Sequence, residues 1–425
     1  MKFEQARLQV VKFLQENSGV TDAAELQAVA THFLHNIGTM PPLLVPAAGK
    51  KLLKNLFPSA ALKKRSSKAA VAEDAAPYQP KLNLDFGDIP YPPPEKPEFT
   101  FIDLFAGIGG FRIAFQEAGG KCVFTSEWDK FAKQTYEANF GEVPYGDIRK
   151  IDKSTIPDHD ILCAGFPCQP FSLAGVSKKN SMGRKHGFED ETQGTLFFEI
   201  KEILRVKRPK AFFLENVKNL RSHDKGRTFE VIRHALMDQL GYVVNWAIVD
   251  GAKWVPQHRE RIFIIGFDPE QIHIAQKDIV IPLNPDKSYV YPELARIIQK
   301  KVADHTLGPG TWSTLERHKA YHAEQGNGFG YGIHSLPIKK GEVTRTISAR
   351  YHKDGAEILV EQRGDRPRRL TVKEAMQLQG YDPNRFKFPA AISNTQAYKQ
   401  IGNSVVVPAI QASAAFVADI LRKHK

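Results

Sequence analysis

The chain has little cysteine: three residues in 425. That count excludes a disulfide framework and disfavours a multi-cysteine zinc module. Long apolar runs are also missing. The nearest candidate, Val405–Leu421, contains Pro408, Gln411 and Asp419, so it is expected to pack as a helix rather than span a membrane. The opening MKFEQARLQV has no apolar signal-peptide core. Together these absences predict a reducing, cytoplasmic setting. Acidic side chains are in deficit, 47 against 59 Lys and Arg, for a net charge of +12. That favours a polyanionic partner without selecting one. What is present is ordinary for a globular protein: 42% hydrophobic and 10% aromatic residues. Wholesale disorder is excluded, and the length suits two or three folded units.

The organisation is readable from periodicity. Phe3, Ala6, Val10 and Leu14 step by three and four, and Leu26, Val29, Ala30, Phe33, Leu34 and Ile37 mark a second apolar face. Residues 1–57 are therefore expected to form a helical extension. Residues 58–98 pass from a basic run ending at Lys68 to YPPPEKPE, and read as a flexible linker that couples its neighbours weakly. From 99 to 269, short β-rich runs such as FTFIDLFAG, HDILCAGF and RIFIIGF alternate with helical stretches. That order predicts an α/β fold with a doubly wound, mostly parallel sheet. Residues 270–394 break the alternation and predict a second, smaller domain. Residues 395–425 look like a helical segment returning to the first sheet.

Three positions suggest an adenosine-type pocket at the carboxyl edge of that sheet. DLFAGIGG (Asp103–Gly110) joins a strand to a helix, where glycines let backbone approach a ligand. Glu127 lies 20 residues beyond Gly107 and suits a ribose diol. Trp128 could stack on a purine, or be core. Asp147 could accept from an exocyclic amine, or merely cap a helix.

A reactive thiol is the second constellation. In HDILCAGFPCQPFS, Cys163 sits within the strand and reads as a buried small hydrophobe. Cys168 follows the strand end between Pro167 and Pro170, which prevent regular structure and present it at the rim. Neither belongs to a CxxC pair, so no metal is expected. Glu215 of ENV ends another strand at the same rim. Arg259 and Arg261 of QHRER alternate along extended chain and point to opposite sides. A thiol, a carboxyl and an arginine suit covalent attack on an electron-poor ring such as cytosine.

These motifs, in this order, resemble the bacterial DNA (cytosine-5) methyltransferases over about residues 99–425. DLFAGIGG, GFPCQPFS, ENV, QHRERI, RRLTVKEAMQLQGY and GNSVVVP each look like a family motif. The resemblance implies a class I S-adenosylmethionine-dependent fold with a target-recognition domain at 270–394. It implies that S-adenosylmethionine binds Phe105, Ile108, Gly110, Glu127, Trp128, Asp147 and Ile148, with Asn403, Ser404 and Val405 closing the pocket. Cys168 would be the nucleophile. Glu215 would bond N3 and the exocyclic amine, Arg261 would hold O2, and Arg259 would support the loop and a phosphate. Double-stranded DNA would be the partner, met by a monomer, with room for a cognate restriction endonuclease acting on the same site. DNA contacts are expected from Ser172, Lys178, Lys179 and Arg184 in the lid at about 171–195, and from Gln257, Arg345, Arg350 and Tyr351. The stretches ENVKNLRSHDKG, GNGFGYG and TISARYHKDGAEIL are similar to the Dcm/EcoRII group, which implies the inner cytosine of CCWGG as target. Three other readings compete: a tRNA cytosine-5 methyltransferase on the same scaffold, a non-catalytic DNA-binding regulator, and an amino-methyltransferase. The long segment between Arg261 and Arg369, the intact Cys168, Glu215 and Arg261, and the Pro-Cys-Gln motif argue against each in turn.

Overall fold

A computed structural model describes residues 1–37, 41–44, 51, 84–166, 196–326 and 330–424. The chain opens with α1 (Phe3–Asn17) and α2 (Ala23–His35). From Phe99, strand and helix alternate: β1 (Phe99–Leu104), α3 (Gly110–Glu117), β2 (Gly120–Ser126), α4 (Lys130–Phe140), β3 (Ile161–Gly165), α5 (Leu196–Lys207), β4 (Ala211–Val217), α6 (Arg227–His234), β5 (Val243–Asp250) and β6 (Glu260–Phe267). The sheet order is β2-β1-β3-β4-β6-β5. The first four strands are parallel, and β6 runs antiparallel to both its neighbours. Strand order reverses beside β1, and a reversal of this kind opens a crevice at the carboxyl ends of the strands.

Alternation along each strand builds a core on each face. Phe101, Cys163 and Phe213 point to one side, where Phe111 and Phe115 of α3 pack. Ile102, Leu162 and Phe212 point to the other, onto Ile200 and Leu204 of α5 and Ile232 of α6. Cys163 is a buried small apolar residue, as expected. Local signals fix the helix ends. Asp129 accepts from the Phe131 and Ala132 amides to start α4, and Gly141 ends it with φ 67°.

Residues 270–394 hold α7 (Pro309–Glu324) and the three-stranded sheet of β7 (Ile333–His334), β8 (Leu359–Gln362) and β9 (Asp365–Arg369). A Thr371–Glu374 capping box then opens α8 (Val372–Gln377). The chain returns through α9 (Asn394–Asn403) and α10 (Val407–Lys423), and Ile410, Ala414 and Val417 join the same core as Phe111. No single described helix is long and apolar enough to cross a membrane.

The weak coupling expected across residues 58–98 does not hold for their described part, 84–98. α1 and α2 share one apolar core with β1 and β2. Residues 84–98 also dock: Lys2 bridges Asp85, and the Tyr91 amide donates to the Asn139 carbonyl. Proline stiffens this arm, and its apolar side chains then bury. The basic residues Lys54–Lys68 lie outside the described residues.

Candidate functional site

The glycine turn after β1 builds the floor of a cleft. Phe105 holds φ 54°, a left-handed conformation costing a non-glycine residue roughly 1–2 kcal/mol. Gly109 turns at φ 85°, where any Cβ would run into the Phe140 ring. A Cβ on Gly110 would lie 2.5 Å from Val405, so the first turn of α3 touches the GNS segment directly. The resulting cleft has a volume of about 680 Å³.

Its walls gather the residues expected for the nucleoside pocket. Phe105, Ile108, Gly110, Glu127, Trp128, Asp147, Ile148, Asn403, Ser404 and Val405 all line it, from four separate segments. Glu127 is buried, and its two carboxylate oxygens accept from the Gly107 and Asp129 amides at 2.8 Å. Burial pushes its carboxyl above the ordinary range, and those amides pull it back. Trp128 is 66% exposed. That excludes a core role and leaves a large aromatic face open beside the cleft. Asp147 both caps the short helix Ile148–Lys150 and grips Arg149. The Arg149 contact holds its carboxyl below the usual value. A carboxylate, an open indole and a second carboxylate across such a cleft fit a purine nucleoside.

Sequence reading missed three participants. Lys399 pairs with Asp129 at 3.0 Å, joining α9 to α4 at the edge of the cleft. Its position four residues before Asn403 on one helix is the signal that would have found it. The Tyr381 and Ser404 hydroxyls share a 2.5 Å hydrogen bond. Asn216, the residue after Glu215, donates to the Phe166 carbonyl at 2.9 Å.

The far end of the same cleft is acidic and basic together. Glu215 and Arg261 line it, with Arg261 Nε 3.0 Å from Glu215 Oε1. Gly165 stands opposite Glu215 in the β3–β4 register. Burial raises the Glu215 carboxyl above its ordinary value, against the pull of Arg261 and Arg259. A carboxyl so placed can hold a proton and donate it. The described chain stops at Phe166. Cys168, and with it Ser172, Lys178, Lys179 and Arg184, lies outside the described residues.

Three expected contacts are corrected. Gln257 is fully buried: its amide donates to the Leu378 carbonyl and accepts from the Ile347 amide, so it cannot reach DNA. Tyr351 is equally buried, its hydroxyl bonded to the Ile358 carbonyl and the Leu370 amide. Arg259 is 3% exposed and donates to the Ile347, Gly402 and Ser404 carbonyls at 3.1, 2.9 and 2.5 Å. It ties three segments together and is not open to a phosphate. Burial and the neighbouring Arg261 lower its guanidinium to about 9, still charged at neutral pH. Arg345 and Arg350 are exposed, as a DNA-facing role requires, although Arg345 also donates to the Gly330 carbonyl.

Comparison with known proteins follows the same outline. Residues 99–417 match the C-5 cytosine-specific DNA methylase family. The chain is 42% identical to the DNA-cytosine methyltransferase of Escherichia coli K12, over 94% of this chain and 95% of that one. It is 48% identical to the type II methyltransferase M.SsoII of Shigella sonnei, over 79% of this chain and 84% of the relative. Among solved structures, a DNMT2 variant from Spodoptera frugiperda superposes with a TM-score of 0.58 at 18% identity, covering 76% of this chain and 99% of that one. At that identity the likeness concerns the fold alone.

Proposed function

Because this chain belongs to the C-5 cytosine-specific DNA methylase family and methylates DNA cytosine at C5 with S-adenosylmethionine, we propose that it does so through a covalent Cys168 adduct at the inner cytosine of CCWGG. The observation that carries the site assignment is the single cleft lined by Glu127 and Trp128 at one end and by Glu215 and Arg261 at the other. The cofactor supplies an electrophilic methyl on sulfonium. Glu127 would accept from the ribose hydroxyls, Trp128 would stack on the adenine, and Asp147 would accept from its amine. Asn403, at the end of α9, and Ser404 and Val405, just beyond it, would close the pocket.

At the other end, a flipped cytosine would enter, since C6 cannot be attacked inside the stack. The Cys168 thiolate adds to C6 while Glu215 delivers a proton to N3 and Arg261 holds O2. The electron pair would then reside at C5, where the bound cofactor would supply the methyl. Loss of the C5 proton, return of the N3 proton to Glu215 and expulsion of the thiolate would complete the exchange. Arg259 serves as a positioning residue. Target reading falls to the smaller domain and the lid, with Arg345 and Arg350 as guanine readers. The name type II methyltransferase on relatives supports a cognate restriction endonuclease, and we propose that the enzyme acts as a monomer on DNA.

Bisulfite sequencing of plasmid from cells expressing the protein tests the specificity. Conversion-resistant cytosines should sit at the inner position of CCWGG. Methylation confined to CCGG or another site would overturn that target and leave the chemistry standing.

A further inference from the structure

β2 is an edge strand, and its outer backbone groups need partners from elsewhere. They find them in sequence order. The Asn36 side-chain Nδ2 donates to the Val123 carbonyl at 3.4 Å. The Thr125 amide donates to His32 Nε2 at 3.1 Å. The Thr125 carbonyl and the Glu127 amide then pair with Tyr145. The edge leading to Glu127 is thus completed first by α2 and then by the 142–148 segment.

The histidine geometry is specific. His32 Nδ1 lies 2.9 Å from the Ala28 carbonyl and must donate to it, so Nε2 carries the free lone pair that the Thr125 amide needs. The ring is therefore neutral while this contact lasts. α2 grips the second cleft-bearing segment too. The Val143 amide donates to Thr31 Oγ1 at 3.0 Å, and beyond the end of α2 the Tyr145 hydroxyl donates to the Pro42 carbonyl at 3.0 Å. That segment carries Gly146, Asp147 and Ile148 into the cleft. Below it, buried Glu142 accepts from Arg112 of α3 at 3.0 Å and lies 3.6 Å from His35. One helix outside the catalytic fold thus holds two of the four cleft-lining segments directly and reaches a third, α3, through Glu142.

We infer that α2 is a positioning element of the cofactor pocket, with His32 and Thr31 as the residues that set the β2 edge and the Asp147 segment. The inference rests on the pocket assignment made above. A docked helix that only added stability would have no need to cap the two backbone segments nearest Glu127 and Asp147.

The test is calorimetric binding of S-adenosylmethionine and steady-state kinetics on the full chain. His32→Ala should weaken cofactor binding and raise its KM about tenfold, the size expected for one buried amide left without an acceptor. The KM for DNA should stay unchanged and kcat should move less than twofold. His32→Gln, which restores an acceptor near the Nε2 position, should recover most of the affinity. Thr31→Val keeps the shape, removes the acceptor for the Val143 amide, and should weaken binding about fivefold; it decides the matter if His32→Ala does not fold. Leu14→Ala, at a buried position with no hydrogen bond to β2, should lower Tm and leave cofactor affinity unchanged. Equal affinity in wild type, His32→Ala and Thr31→Val, or the same affinity loss in Leu14→Ala, would overturn the inference. Glu127→Ala serves as the reference: if it too leaves affinity unchanged, the pocket assignment fails instead.

Discussion

Replacing Arg259 by Met separates two readings of the arginine motif. The guanidinium bonds three carbonyls, of Ile347, Gly402 and Ser404, and is almost fully buried. Met keeps much of the volume and removes every donor. Each buried carbonyl left unpaired costs roughly 1–3 kcal/mol, and the three share one neighbourhood, so a total of about 3–5 kcal/mol is expected. The loss would fall on the joint between the smaller domain and the GNS segment, so cofactor and DNA binding should weaken together. Thermal denaturation gives the stability, and DNA affinity across a salt series gives the number of phosphate contacts. Tm should fall strongly, and the salt slope per bound complex should stay unchanged. A phosphate-holding arginine would do the opposite, leaving Tm intact and lowering the slope by about one. That outcome would refute the reasoning.

Glu127→Ala and Trp128→Ala should each weaken S-adenosylmethionine binding by about 1–3 kcal/mol, read by calorimetry; unchanged affinity in both would misplace the pocket. Arg345→Ala or Arg350→Ala should relax sequence preference by about 1–3 kcal/mol at one base pair, read by bisulfite sequencing of a randomised target library, with loss of affinity at all sites equally as the contrary result. His35 carries a pH signature. Burial holds its ring down to about 3, so on acidification the unfolded chain takes up a proton near pH 6.5 and the folded one does not. Stability is therefore lost as pH falls below about 6.5, by about 1 kcal/mol between pH 7 and 5.5 for this one group. His35→Phe, whose ring would still meet Phe3 and Phe86, should show a smaller fall in Tm over that interval, and an identical fall would exclude His35 as a source.

Much of the catalytic sheet was legible because its signals are local. Strand alternation, the glycine turn and the order Glu127, Asp147, Glu215 follow from short stretches of chain, and the cleft brings them together as expected. Contacts across long sequence separation were not legible. Gln257 looks like an ideal base-reading side chain until the fold surrounds it with an amide and a carbonyl from 90 and 121 residues away. Arg259 belongs to the same class, since its partners lie 88 to 145 residues distant. The N-terminal helices show the limit from the other side. Their apolar faces were evident from periodicity, but periodicity names no partner, and the capping of Thr125 by His32 spans 93 residues.

The claim that most needs a direct test is the covalent step at Cys168. Duplex DNA carrying 5-fluorocytosine at the inner position of CCWGG cannot lose a C5 proton, so methyl transfer should strand the enzyme on the DNA. Denaturing electrophoresis of wild type incubated with this DNA and S-adenosylmethionine should show a heat-stable adduct, absent with Cys168→Ser although that variant still binds the cofactor. An adduct of equal yield from Cys168→Ser, or none from an actively methylating wild type, would contradict the account.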